Sequence, residues 1–329
     1  MEMKTIKLWK KEEFTYPVVG EFVPTLTAYL HEDGGTRPGF VVVPGGGYRL
    51  VSPAEGEIVA KKFYEKGFQT FVLTYTTCMP GPQPLGFQPL RDLSKSLVWI
   101  RKNEKELQMD GKSLTICGFS AGGHLCGSLA VHYADERVKI GGEYAGISNR
   151  PDYVVLAYPV ITSGKYAHRD SFTALLGADA SKEELEYMSL EKQVTGDMPP
   201  VFLWQTAEDA AVPVENSYLF AEACRKAEVP FEHHVFRRGI HGLSLADKQW
   251  VSRKVGGDYT MEQQAAYVSY CIEHGIALPE PLEKLNSLPR GSDILTALKE
   301  CGQHAQRKEE PSVQIWPDLV ENWLKDFEE

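Results

Sequence analysis

The fold is decided by residues 114–125, which read LTICGFSAGGHL. The first half is apolar and partly β-branched, a pattern that predicts a buried strand. The pair Leu125 and Leu129, one helical turn apart, predicts a helix after the break. Between them lies a G-x-S-x-G pattern centred on Ser120, whose sharp turn would lift the hydroxyl above the end of the strand. A glycine-rich turn with an inactive serine is the alternative until the rest of the chain is considered.

The length and the charge of the chain limit the fold classes and partners that can be expected. A length of 329 residues permits one large α/β domain or two smaller ones, and we interpret 1–329 as a single domain. The 35 basic and 45 acidic residues give a formal net charge of −10, so a phosphate backbone is repelled and nucleic acid is not an expected partner. No run approaches the ~20 apolar residues of a membrane span, so no membrane partner is expected.

The cysteines and the first residues indicate a compartment. Residues 1–11 lack the apolar centre of a signal peptide. The six cysteines form no C-x-x-C pair, and several fall in predicted core elements. This favours reduced thiols in a cytoplasmic protein over a disulfide framework. No histidine has metal-ligand spacing to a cysteine or a carboxylate, so no metal is expected.

Core-strand patterns recur along the chain and alternate with amphipathic helical patterns. This alternation predicts a mostly parallel sheet with helices on both faces. Residues 162–198 lack strand patterning and predict loops and short helices over the site. The predicted core strands lie at 39–44, 69–75, 114–119, 152–160, 201–206 and 231–236.

The stretch 247–312 breaks this alternation because it has no strong strand pattern. Thr260 begins a capping-box pattern that opens a helix, and Gly275 closes it. A second helix is predicted over 293–301, and Pro317 lies at the start of the last predicted helix. We interpret 247–312 as a helical insertion before the C-terminal helix, either a lid over the pocket or a contact between subunits of a homo-oligomer.

Three chemically matched side chains follow three predicted strands. Ser120, Asp209 and His241 come in this order, and ligands of doubly wound sheets bind outside the carboxyl ends of the strands. A serine hydroxyl needs an imidazole to take its proton, and a buried carboxylate holds that imidazole in the required tautomer. Each residue alone has an ordinary structural explanation, but their coincidence at one edge favours catalysis. Glu208 is a rival for the acid, and we prefer Asp209 because a shorter acid at the turn can reach back to the histidine loop.

The glycines 45–47 follow a fourth predicted strand. Three glycines can form a flexible turn. The alternative is that their backbone N–H groups approach a ligand oxygen with no side chain in the way, as an oxyanion hole requires. Tyr48, Tyr158 and Trp204 lie near predicted strand ends and suit stacking on sugar rings, with core packing as the alternative for each. We take Tyr48 and Tyr158 as candidate substrate-binding residues.

Four motifs stand out at the strand ends: PGGGY at 44–48, GFSAGGHL at 118–125, TAEDAAVPVENS at 206–217 and GIHG at 239–242. Together they resemble the α/β-hydrolase esterases known as acetyl esterases or xylan esterases, relatives of the hormone-sensitive-lipase-like group. The similarity runs from about Gly39 to His241 and resumes at Trp316, and the Ser-Ala-Gly-Gly-His string is fairly specific to this branch. The stretch 247–312 has no counterpart in the family pattern.

This resemblance implies an α/β-hydrolase fold and a cofactor-free hydrolase of carboxylic esters with small acyl groups, often acetyl groups on sugars. The expected partner is therefore a small-molecule ester such as an acetylated oligosaccharide. The lipase-like group usually has histidine before the glycines, where this chain has Pro44, and this difference favours the sugar-esterase branch. The residues that the resemblance assigns are Ser120 as nucleophile, Asp209 as acid, His241 as base, and Gly46 or Gly47 together with Ala121 as oxyanion donors.

Two other functions share this fold and stay open. Serine peptidases of the prolyl-oligopeptidase type have the same triad order, but they usually carry tyrosine where Ala121 stands and a propeller domain that this chain lacks. Non-catalytic ligand receptors on the fold typically lose a triad member, whereas all three candidates are present here. Turnover of a peptide amide or of an acyl ester separates these alternatives.

Overall fold

The computed structural model describes residues 1–18, 22–78, 83–254, 260–278, 282–301 and 307–327. Its strands form one sheet in the order β1-β2-β4-β3-β5-β6-β7-β8, in which β1 with β2 and β2 with β4 pair antiparallel and all other pairs are parallel. The predicted mostly parallel sheet is confirmed. The strands are β1 Glu2–Lys7, β2 Thr25–Leu30, β3 Arg37–Val43, β4 Gln69–Thr74, β5 Met109–Phe119, β6 Tyr153–Ala157, β7 Val201–Thr206 and β8 Phe231–Phe236.

Helices cover both faces of this sheet, because successive strand residues point to opposite sides. Val41 and Val43 of β3 pack in one buried cluster, with residues of the second, third and sixth helices, and Phe40 and Val42 pack in another, with residues of the first and last helices. The helices are α1 Glu57–Glu65, α2 Gln88–Lys102, α3 Ala121–His132, α4 Arg169–Leu176, α5 Lys182–Tyr187, α6 Glu215–Lys226, α7 Lys248–Ser252, α8 Glu262–His274, α9 Ile294–Cys301 and α10 Trp316–Lys325.

The described part of 247–312 contains helices and turns and no strand. Helices α8 and α9 pack around a small apolar cluster of their own. The predicted capping box at Thr260 is wrong, because Met261 occupies the N-cap and the buried Thr260 hydroxyl has no partner among the described residues. Gly275 ends α8 in a left-handed conformation, as predicted. The N–H of Glu310 donates to the carbonyl of Ala246 over 3.1 Å, so the two ends of the segment between these residues lie side by side.

Two findings concern the helices and the cysteines in relation to the compartment predicted for the chain. No helix in the described part of the chain has the length and apolarity needed to cross a membrane. The cysteine side chains that the structure describes are buried free thiols, namely those of Cys78, Cys117, Cys126, Cys224 and Cys271. The cytoplasmic location stays a prediction.

Asp92 of α2 is a fully buried carboxylate, and each of its two oxygens accepts two hydrogen bonds. Its Oδ1 accepts from Trp9 Nε1 at 2.8 Å and from Gln88 Nε2 at 2.7 Å. Its Oδ2 accepts from the Thr76 N–H at 2.9 Å and from the Thr76 hydroxyl at 2.6 Å. Burial is the dominant influence and raises the pKa of Asp92 to about 6, although these bonds favour the charged form.

We therefore expect Asp92 to make the free energy of unfolding fall as the pH rises from about 4 to about 7. The native state keeps the proton up to a pKa of about 6, whereas the unfolded chain releases it near ~3.9. The stabilisation by the protonated Asp92 is thus complete below its pKa in the unfolded chain. It is lost as the pH rises through its pKa in the native state. The shift corresponds to roughly 3 kcal/mol.

Urea titrations of the wild type and of Asp92→Asn across this pH range measure the effect. The free energy of unfolding of the wild type minus that of the variant should decrease with rising pH. A difference that stays constant contradicts the assignment.

Candidate active site

Ser120 stands on the sharp turn between β5 and α3. Its backbone has φ 53° and ψ −117°, and its N–H donates to the carbonyl of Ala157 over 3.0 Å. A side chain at Gly122 is excluded, because its Cβ would lie 2.2 Å from the carbonyl oxygen of Val43. Close approach of α3 to β3 therefore fixes the turn, and the strain at Ser120 is of the kind found at functional residues.

The three predicted side chains meet at the carboxyl ends of the strands. His241 Nε2 lies 2.7 Å from Ser120 Oγ, and His241 Nδ1 lies 2.7 Å from Asp209 Oδ2. The Asp209 side chain has 0% exposure and that of His241 has 23%. A carboxylate only accepts, so Nδ1 carries the proton and the lone pair of Nε2 faces the serine hydroxyl. This is the tautomer that a general base for Ser120 requires.

Asp209 is held in place by further donors. Its Oδ1 accepts from the N–H groups of Ala211 at 3.0 Å and Val212 at 2.9 Å, and Gln205 Nε2 donates to Oδ2 at 3.2 Å. The neighbouring Glu208 is exposed. The structure thus brings Asp209, and not the rival Glu208, to the imidazole.

The glycine loop after β3 passes beside the serine. A Cβ at Gly45 would lie 2.9 Å from the Cβ of Ser120. Gly46 has φ 125°, a conformation that favours glycine. Within the part of the chain that the structure describes, the N–H groups of Gly46, Gly47 and Ala121 have no protein acceptor. These N–H groups are therefore free to donate to a ligand.

Tyr48 and Tyr158 are both buried, with 1% exposure each. The Tyr48 hydroxyl lies 2.8 Å from His124 Nδ1, and the Tyr158 hydroxyl donates to Glu55 at 2.7 Å. The Tyr158 ring packs edge-on against His241 with centroids 5.1 Å apart. The burial of both rings favours core packing over sugar binding, because neither ring has an exposed face on which a sugar could stack.

His124, next to the turn on α3, is a packed residue. Its Nε2 donates to the carbonyl of Met188 at 2.8 Å, so Nδ1 accepts from Tyr48. Burial lowers the pKa of His124 to about 4, which keeps the ring neutral. His124 and Tyr48 line a crevice too narrow to hold a water molecule, together with Val160, Ser171, Phe172 and Leu175.

One residue of this region, His168, could not be recognised from the sequence. His168 precedes α4, and its Nδ1 lies 2.9 Å from Ser171 Oγ. The pKa of His168 is lowered, first by burial and next by the interaction with His241. The segment before α4 carries no periodic pattern, and a lone histidine in a loop gives no signal for this position.

Among the described residues, no group of three or more metal-ligating side chains converges.

A family model described as BD-FAE matches residues 27–224, from β2 into α6. The chain belongs to the BD-FAE family. The match includes Ser120 and Asp209 and ends before His241. The predicted resemblance to acetyl and xylan esterases is confirmed at the level of the family.

Named relatives agree with this membership. The chain is 52% identical over 256 residues to endo-1,4-β-xylanase B of Butyrivibrio fibrisolvens, covering 78% of this chain and 40% of that protein. It is 25% identical over 247 residues to the acetylxylan esterase of Xylanibacter ruminicola, covering 73% of this chain and 48% of that protein. The chain thus spans less than half of the length of both relatives.

Solved structures establish the fold. The acetyl ester-xyloside bifunctional hydrolase of Caldicellulosiruptor lactoaceticus superposes with a TM-score of 0.69 at 34% identity, covering 83% of this chain and 97% of that one. The carboxylesterase Cest-2923 of Lactobacillus plantarum superposes with a TM-score of 0.62 at 23% identity, covering 85% of this chain and 100% of that one. The BD-FAE member described here therefore has the α/β-hydrolase fold, and its relatives and structural neighbours include ester hydrolases.

Proposed function

We propose that this chain is a serine carboxylic-ester hydrolase that removes short acyl groups, above all acetyl, from sugars or xylo-oligosaccharides. The observation that carries the proposal is the imidazole of His241, with one nitrogen 2.7 Å from Ser120 Oγ and the other 2.7 Å from Asp209 Oδ2. Ester hydrolysis by this route needs a serine, a base and an orienting acid, and no cofactor.

Acylation begins with attack of Ser120 Oγ on the ester carbonyl while His241 Nε2 takes the hydroxyl proton. The carbonyl oxygen becomes negative, and the N–H groups of Gly46 or Gly47 and of Ala121 are the donors that meet it. Loss of one such donor typically costs about 100-fold or more in rate. The bond between the acyl carbon and the alcohol oxygen then breaks, and the alcohol leaves with the proton from His241.

Deacylation repeats these steps with water. His241 Nε2 takes a proton from water, and the resulting nucleophile attacks the acyl carbon on Ser120. The bond to Ser120 Oγ breaks, the serine regains its proton from the imidazole, and the carboxylic acid leaves. Asp209 stabilises the imidazolium in both halves of the cycle.

Two observations support a short acyl group on a sugar. The crevice between Tyr48 and Phe172 is narrow, and Ser171 on its wall lies 3.9 Å from the Cβ position of Gly47. An acyl chain bound beside the glycine loop has little room to extend there. The named relatives include an acetylxylan esterase and an acetyl ester-xyloside bifunctional hydrolase, which favours acetylated xylo-oligosaccharides as the substrate class.

The test is a panel of p-nitrophenyl esters of increasing chain length together with acetylated xylo-oligosaccharides. We expect acetate release from the oligosaccharides. We also expect kcat/KM for the acetate ester to exceed that for the octanoate ester by about tenfold or more, since added methylenes clash with the narrow crevice.

Faster turnover of the long-chain esters contradicts the assigned acyl group. Turnover of an aryl peptide amide faster than any ester favours the peptidase alternative instead. A purified, folded chain that hydrolyses none of the esters contradicts the proposal as a whole.

A further inference from the structure

Glu55 is a buried carboxylate close to the candidate active site that the proposed reaction does not use. It ends a short helical turn at 53–55, between the glycine loop and α1, and is 4% exposed. The N–H of Ser52 donates to the carbonyl of Gly45 over 2.9 Å, which ties this turn to the glycine loop. Burying a carboxylate costs several kcal/mol unless hydrogen bonds compensate, so its contacts need an explanation.

Both oxygens of Glu55 are engaged by donors from different parts of the fold. Oε2 accepts from the N–H of Gly45 at 2.8 Å, and Oε1 accepts from the hydroxyl of Tyr158 at 2.7 Å. The Tyr158 oxygen in turn accepts from the N–H of Ser244 at 3.0 Å. Every proton in this chain of bonds points toward the carboxylate, and bonds to an ionised acceptor are the strong ones.

These contacts join three segments that surround the proposed triad. Gly45 leads into the proposed oxyanion donors, Tyr158 follows β6, and Ser244 lies three residues after His241. The Tyr158 ring also packs against the imidazole of His241. Glu55 touches none of the reacting atoms, but it connects the loop of the donors to the loop of the base.

We infer that Glu55 is a positioning residue, whose carboxylate fixes the glycine loop and the His241 loop relative to each other. The inference rests on the proposed esterase function. Its chemistry requires two acceptor oxygens, one for Gly45 and one for Tyr158. The pKa of Tyr158 is raised well above its usual value, first by burial and next by the charge of Glu55, so the phenol keeps the proton that it donates.

The substitution Glu55→Gln tests this requirement because glutamine has one acceptor oxygen and one NH₂ group. If the oxygen stays with Gly45, the Tyr158 hydroxyl loses its acceptor. If it stays with Tyr158, two N–H donors face each other at Gly45. Either arrangement loosens one of the two loops with little change of volume.

We expect kcat of Glu55→Gln on p-nitrophenyl acetate to fall by about tenfold or more per titrated active site, with KM within about threefold of wild type. An aryl phosphonate that modifies the nucleophilic serine counts the active sites. Asp92→Asn is the matched control, since Asp92 is also a buried carboxylate whose two oxygens both accept hydrogen bonds. It should lower the melting temperature and leave kcat per active site unchanged.

Tyr158→Phe is a second variant that keeps the test open if Glu55→Gln does not fold. It removes the hydroxyl between Glu55 and Ser244, so kcat per active site should fall as well. In the double variant the losses should be less than additive, because both residues act in one network. The inference is overturned if kcat per active site of Glu55→Gln stays within twofold of wild type. If Glu55→Gln does not fold, the same result in Tyr158→Phe overturns it. A wild type that neither hydrolyses esters nor reacts with the phosphonate overturns the proposed function instead.

Discussion

Replacing Ser120 by alanine is expected to abolish ester hydrolysis, with kcat reduced on the order of 10⁵-fold or more. The hydroxyl supplies the atom that would form the acyl-enzyme, and in the described part of the chain no other hydroxyl lies within hydrogen-bond distance of His241 Nε2. The fold should persist, because alanine fits the space of serine and the N–H bond to Ala157 is kept. Initial rates with p-nitrophenyl acetate and circular dichroism measure the two quantities.

Ser96→Ala is the control for this substitution. Ser96 is a fully buried serine on α2 whose hydroxyl donates to the carbonyl of Leu93 over 2.7 Å. It lies outside the proposed site, so the variant should retain the rate of the wild type. Residual activity of Ser120→Ala above about 1% of wild type, free of contaminating esterase, contradicts the role of Ser120.

The substitution Asp209→Asn is expected to lower kcat on the order of 10⁴-fold with the fold intact, by analogy with the triad of chymotrypsin-type proteases. The asparagine oxygen would stay on the N–H groups of Ala211 and Val212, which now hold Oδ1. Its NH₂ group would then face His241 Nδ1. The imidazole would have to accept there and carry its proton on Nε2, where it cannot take one from Ser120.

Glu208→Gln is the matched control, since it neutralises the adjacent acid of the same turn. Glu208 is exposed, so kcat should stay within about twofold of wild type. The pH dependence of kcat/KM and the rate at high pH, compared between the two variants, identify which carboxylate orients the base. A large loss in Glu208→Gln with a small loss in Asp209→Asn reverses the assignment.

The sequence was enough to predict the sheet and the meeting of Ser120, Asp209 and His241. Parallel strands bring their carboxyl ends to one edge, so residues that directly follow buried apolar runs must become neighbours. The G-x-S-x-G pattern marked one of these positions. The helical character of 247–312 followed from the missing strand pattern in the same way.

The roles of Tyr158 and Glu55 were not predictable in this manner. A tyrosine after a core strand has an apolar ring and a polar tip, and only tertiary packing decides whether it faces solvent or a buried partner. Its partner Glu55 lies 103 residues away. An acidic residue just before an amphipathic helix is common for reasons of local charge alone, so its position gives no sign of a buried bridge.

The backbone bond between Glu310 and Ala246 bears on how this architecture diversifies. Because the two ends of the segment between them already lie side by side, each doubling of its length costs only about 0.6 kcal/mol of closure entropy. Whole helices can be gained, lost or exchanged at this junction while the strand ends keep their spacing. Changes of length or content in this segment therefore need not disturb the positions of Ala246 and Glu310.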